Sequence, residues 1–222
     1  MSFLNQLKSQ AQAARQQHSS QQQSAEGRVA QTEAACRLVV AYLADLAQQL
    51  NVIAPPAPAF SLDGKTPWPE MHLVDFRCDV RQKRWLGQSV VDYIGMGWRV
   101  APKVGAVGKG VVSVNFLPEL ERVEARLALG HLKHERFEQR HPENNKLLSV
   151  CFEYLAELLG SVRVTPDHDQ ATLAFRISNA TGFEVLTTQL PAVDIHNNAL
   201  DELARLLLAQ PSQFMYLRPA HA

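Results

Sequence analysis

The chain has 222 residues, of which 46% are hydrophobic and 20% charged, and its 22 basic side chains balance 22 acidic ones. That length supports one large core, and the composition excludes wholesale disorder. The zero net charge excludes a global attraction to nucleic acid or to an anionic membrane. Cys36, Cys78 and Cys151 form no C-x-x-C pair, and no apolar run approaches the roughly 20 residues of a membrane span. The N-terminus "MSFLNQLKSQ" lacks the basic start and apolar middle of a secretory signal. The sequence therefore predicts a cytoplasmic protein with free, buried thiols.

Residues 1–53 are rich in Gln and Ala, contain no Pro and carry only Gly27, a helical composition. The polar stretch "RQQHSSQQQS" has nothing to bury and predicts a break. Beyond it, Cys36, Val39, Leu43, Leu46, Leu50 and Ile53 follow a three-four alternation that lays one apolar seam along a helix. Such a seam packs either on the chain's own sheet or against a second copy or partner, through Val39, Leu43, Leu46 and Leu50.

Residues 54–70 hold five prolines and read as a linker, with Trp68 packing onto the domain C-terminal to it. The period then changes. Val74, Phe76, Cys78 and Val80 alternate with charged residues, and Ile94, Met96, Trp98 and Val100 alternate with Tyr93, Gly95, Gly97 and Arg99, the signature of strands with one buried face. Gly95 and Gly97 leave a strip without side chains. A third strand runs through Val112, Val114 and Phe116. "LPELERVEARLAL" opens with Pro118 and Glu119 as a helix does, though a strand also fits its spacing over residues 118–140. Leu148, Cys151, Phe152, Leu155 and Leu159 predict another helix, stopped by Gly160. Two strands joined at Pro166 and Asp167, a further strand after residues 179–182, and a helix bearing Leu200, Leu203, Leu206 and Leu207 complete the chain.

The predicted fold is α+β: a helical arm at 1–53, a proline-rich linker at 54–70, and a domain at 71–222 with a mainly antiparallel sheet of about six strands covered on one face by helices.

Sites are scarce. "KVGAVGKGVV", residues 103–112, has Lys103 where a phosphate-binding loop needs Gly, and Gly110 where it needs Ser or Thr; it reads as a strand-to-strand connection. His131 and His134, with Glu135, stand at a spacing that on a helix presents two imidazoles and a carboxylate to a divalent metal. Neither H-E-x-x-H nor H-x-x-E-H is present. Residues 71–141 hold 12 basic and 8 acidic side chains, against 5 and 9 in residues 142–222. Arg77, Arg81, Lys83, Arg84, Arg99, Lys103 and Lys109 lie near Trp85, Tyr93 and Trp98, a combination that can hold single-stranded nucleic acid. Asp75, Asp79 and Asp92 interrupt it, as in cross-strand ion pairing on a wet face. His72 and His168 are possible bases and Ser113 and Ser149 possible nucleophiles, but no catalytic motif joins them.

The expectation is a non-enzymatic interaction module, a homo-oligomer or a protein binder acting through its N-terminal helix, without cofactor or membrane. The alternatives are a small-ligand binder or metal-dependent enzyme with its pocket between sheet and helices, and a single-strand nucleic-acid binder.

Overall fold

The computed structural model describes residues 3–85 and 87–217, with side chains from residue 23 onward. The chain begins with α1 (Phe3–Ile53) and continues through β1 (His72–Trp85), β2 (Gln88–Ala101), β3 (Lys109–Val114) and α2 (Leu117–Gly130). Next come β4 (His134–Arg140), β5 (Leu147–Leu155), β6 (Leu158–Asp167), β7 (Thr172–Ser178), β8 (Val185–Pro191) and α3 (Asn197–Leu207), with short 3-10 turns at Ala192–Asp194 and Phe214–Tyr216. It is an α+β fold with antiparallel pairing. Among the described residues there are two sheets rather than one of six strands: a five-stranded sheet in the order β1-β2-β6-β7-β8 and a three-stranded sheet β3-β5-β4.

The expected break in the first helix does not occur, and α1 runs through "RQQHSSQQQS". Gln and Ala are good helix formers, and no Gly or Pro interrupts the chain before Gly27. The helix stops where Ala54 enters the left-handed region at φ 45° ahead of Pro55. Its seam is the second correction. Cys36, Val39 and Leu43 are fully buried, Ala47 and Leu50 nearly so, and Leu46 is half-buried, all within the chain's own core. The seam lies on β1 and β2, so Val39, Leu43, Leu46 and Leu50 are occupied internally rather than presented to a partner. Polar ties fix the register. The Tyr42 hydroxyl donates to Asp201 of α3 at 2.6 Å. Asn51 brackets the backbone of Phe76, donating to its carbonyl at 2.9 Å and accepting from its amide at 2.8 Å.

That bracket holds a bulge in β1. Asp75 has φ 57°, and pairing with β2 shifts between Val74 and Arg77. Leu73 and Phe76 are buried as a result, with Val74 only half-buried. Inward residues of β2, β6, β7 and β8 complete the large sheet's core face: Ile94, Met96, Trp98, Val162, Val164, Leu173, Phe175, Ile177 and Leu190 are all buried. α3 adds Leu200, Leu203 and Leu207, and Phe214 packs edge-on to Phe175.

The proline-rich stretch is packed structure. Ala57 donates to Met71 and Leu73 to Pro55, laying the stretch beside β1. Asp63 closes a turn by accepting from the amides of Lys65 and Thr66. Trp68 is buried among Phe60, Tyr154 and Phe183, with ring centroids 5.6–5.8 Å away. The linker thus joins the small sheet to the large one.

The segment expected as a helix near 148–159 forms β5 and the start of β6. A continuous apolar run fits both periods, and in β5 alternation wins: Val150, Phe152 and Tyr154 turn inward and pair across to β3 and β4. Over residues 118–140 the chain divides, with α2 burying Val123 and Leu127 and the polar run after it becoming β4. Residues 103–108 connect β2 of one sheet to β3 of the other, with positive φ at Gly105.

Candidate functional site

One face of the large sheet is covered by α1 and α3; the other carries a cleft of about 1040 Å³. Its floor is a single cross-strand row with one residue from each strand: Arg77, Gly97, Ser161, Ser178 and Val185. The flanking rows add Asp79 and Arg176 on one side and Asp75, Arg99 and Leu159 on the other. The C-terminal end of α2 forms a wall through Ala128, Leu129 and His131.

The glycines that sequence singled out make this floor shallow. A Cβ added at Gly97 would meet only the Gly160 carbonyl, at 3.7 Å. Gly160, read from sequence as a helix stop, is a β6 residue opposite Trp98, where a side chain would overlap the buried indole. Asn179, 2% exposed and at φ 56°, fastens the wall to the floor by donating to Leu129 O at 3.2 Å and Leu159 O at 2.9 Å. Its Oδ1 is buried without a partner among the described residues.

The charges divide into two groups. Arg99 is taken by Asp75 at 2.6 Å and by Glu157 at 2.5 Å, which hold its guanidinium more firmly charged than usual. Arg77 and Arg176 have no ion-pair or hydrogen-bond partner among the described residues. Arg176 stands directly across from Arg163, whose guanidinium lies 4.0 Å from the centre of the Tyr93 ring. Like charges directly opposite on neighbouring strands repel. The Asp79 carboxylate lies over Gly95, in the space a Cβ there would take.

The predicted metal residues separate. The expectation placed them on a helix, whereas His131 is the left-handed cap of α2 (φ 49°) and His134 and Glu135 are consecutive in β4, facing opposite sides. His134 Nδ1 lies 2.9 Å from Leu132 O and its ring packs against Phe152. Among the described residues no group of three His, Cys, Asp or Glu side chains is placed to hold a metal.

The basic strands mostly pair internally: Lys83 and Arg81 with Asp92, Arg99 with Asp75, and Lys109 with Glu153. Trp98 lies in the core, away from the wet face. Of the possible catalytic residues, the buried His168 meets Glu33 of α1 at 2.8 Å, and the same oxygen accepts from the Val91 amide at 2.9 Å, a latch between helix and sheet. His72 Nδ1 lies 2.8 Å from Ala54 O, the Ser113 hydroxyl oxygen accepts from the Cys151 thiol, and Ser149 donates to Gln139. Neither serine is bonded to a histidine.

Sequence reasoning missed Arg176, Ser161, Ser178 and Asn179. They lie some 60 to 100 residues beyond Arg77 and Gly97, and only strand order brings them together. No helix among the described residues is long and apolar enough to cross a membrane. No protein-family model matches this chain, and neither a curated protein nor a solved structure matches it.

Proposed function

We propose that the protein is a small-ligand-binding module whose site is the cleft on the open face of the five-stranded sheet. The supporting observation is convergence. One row drawn from all five strands, a helix end and two arginines unpaired among the described residues meet around about 1040 Å³ of space, a volume at the upper end of small-molecule sites. The buried seam of α1 takes away the main support for a partner grip at residues 29–53, and the three unpaired cysteines suit a reducing compartment such as the cytoplasm.

A fragment screen by ligand-observed NMR tests the reading, comparing the wild type with Ser161→Phe, which places a ring on the floor. Fragments that bind the first and not the second support it; absence of any binder, or binding indifferent to the filled floor, refutes it.

A second reading, self-association, is favoured by one observation. α1 extends 26 residues ahead of Val29, its first buried described residue, roughly 40 Å of helix. Sedimentation of the intact chain beside one starting at residue 29 decides it, and equal monomer masses would end it.

A further inference from the structure

We infer that the ligand of this cleft is a small amphiphilic anion, its carboxylate or phosphate bridging Arg77 and Arg176 above the Gly97–Ser161 floor and its apolar body lying against Leu129 and Leu159. This rests on the reading of the cleft as the binding site and adds the chemistry of what enters it.

The first argument is electrostatic. Asp75 and Glu157 are both engaged by Arg99, and Asp79 lies over Gly95 without an arginine within ion-pair distance. Arg176 faces Arg163 across the β6–β7 pair, and no carboxylate lies within ion-pair distance of it among the described residues, Asp79 standing in the same row but three strands away. A bound anion supplies the close counter-charge. Guanidinium groups suit the role because their planar fork matches both oxygens of a carboxylate or phosphate.

The second is geometric. Arg77 on β1 and Arg176 on β7 are three strand spacings apart, about 14 Å across the sheet, and two residues, about 7 Å, apart along it. Between them the Gly97 row carries a glycine and the hydroxyls of Ser161 and Ser178, and the adjoining row, in which Arg176 itself stands, carries Arg163 and Gly95 with the Asp79 carboxylate over it at the β1 edge. Two arginine side chains extended over that floor leave room for one anionic group between them, with the serine hydroxyls beneath as further donors.

The third is the wall. Leu159 is 58% exposed and Leu129 38% exposed, and both line this cleft beside the arginines. Apolar side chains left open next to unpaired cations match a ligand with a charged head and an apolar body, and neither an inorganic ion nor a neutral sugar uses both.

Calorimetric titration with octanoate, octyl phosphate, pyrophosphate and octanol tests the inference on the full chain. The two amphiphilic anions are expected to bind, one or both, and to outbind pyrophosphate and octanol. Arg77→Gln and Arg176→Gln are each expected to weaken them by about tenfold or more, whereas Arg84→Gln on the hairpin arm leaves affinity unchanged. Both arginines are exposed and unpaired, so the variants keep the fold, checked by circular dichroism. Octanol binding as tightly as octanoate overturns the anionic head while leaving the cleft reading intact. Pyrophosphate binding as tightly as octyl phosphate overturns the apolar contact. If neither amphiphilic anion binds at millimolar concentration while unrelated fragments still occupy the cleft, the inference fails alone; if Ser161→Phe also proves indifferent, the site fails with it. An oligo-dT strand that displaces octanoate with steep salt dependence overturns the inference in favour of a strand-binding face.

Discussion

Replacing Gly160 with alanine tests the packing between the core and the cleft floor. Gly160 pairs with Trp98 across β2 and β6, and a methyl group built on it would lie 2.5 Å from Cζ2 of the indole and closer still to Cε2 and Nε1. Carbon atoms in ordinary contact sit about 3.5–4.0 Å apart, so the ring or the strand must move by roughly 1 Å or more. The ring has little freedom: Trp98 is 2% exposed and stacked on Phe76 with centroids 5.8 Å apart. Overpacking costs about 1–3 kcal/mol, and a rigid buried indole places this substitution near about 3 kcal/mol. In a chain of this size that lowers Tm by roughly 6–12 °C. The assay is urea unfolding followed by far-ultraviolet circular dichroism. Trp98→Phe supplies the second arm, since it removes the overlapping atoms together with an indole N–H that has no partner among the described residues. The double variant should therefore be more stable than the two single losses added together, by about 1 kcal/mol or more. A Gly160→Ala protein within about 0.5 kcal/mol of wild type, or strictly additive losses, would refute the packing argument.

Leu43→Ala, at a fully buried seam position, should cost about 2–5 kcal/mol without changing the sedimenting mass; a mass change with little loss of stability would return the seam to an intermolecular role. His168→Ala removes the ring that meets Glu33 and should destabilise by about 1–3 kcal/mol in thermal unfolding, while Asp169→Ala, exposed beside it, should change little. Burial, aided by Glu33, pushes the Cys36 thiol up to about 12, and burial with Asp79 pushes the Cys78 thiol up to about 11. The buried Cys36 should therefore react slowly with Ellman's reagent at neutral pH in the folded protein and readily in urea, whereas Cys78, exposed on β1 contrary to the expectation of buried thiols, should react faster than Cys36 in the folded protein. The folded protein keeps thiol protons that the unfolded chain gives up near its ordinary 9.0. Their contribution is thus fully present below that pH and lost between 9.0 and about 12. Cys36→Ala should flatten the alkaline loss measured by urea titrations across that range.

Period alone located α1, α3, β1 and β2, because their apolar positions suit only one geometry with solvent on the other side, whereas for α2 both periods fitted and the structure decided for the helix. It failed for β5, where Leu148, Cys151, Phe152, Leu155 and Leu159 fit a helix while Val150, Phe152 and Tyr154 fit a strand equally well. Pairing with β3 and β4, invisible in a local window, decided between them. The turn after β6 carried a larger consequence for the site. A turn at Pro166 and Asp167 would set Arg163 opposite Gln170; the true turn spans residues 168–171, which sets Arg163 opposite Arg176. Pro166 is tolerated inside β6 because it stands past the last residue paired with β2, where one edge of the strand is open. A three-residue error in one loop thus hid the like-charge pair on which the cleft's chemistry depends. Gly95 and Gly97 did mark the open face, as glycine on the solvent side of a strand can, but the residues gathered around them come from β6, β7 and α2.

The first helix of this protein has contacts that are made late. Tyr42 waits for Asp201, 159 residues downstream, and Glu33 for His168, 135 residues downstream. At translation speeds of about 5–20 residues per second, the greasy stripe from Cys36 to Leu50 emerges roughly 8–30 seconds before α3. During that interval the nascent chain displays an amphipathic rod with nothing of its own to cover it completely. A chain cut short before α3 would have β1 and β2 to lay on the stripe but would lose the α3 side of its packing, which makes premature termination near the C-terminus a route to aggregation and to chaperone capture.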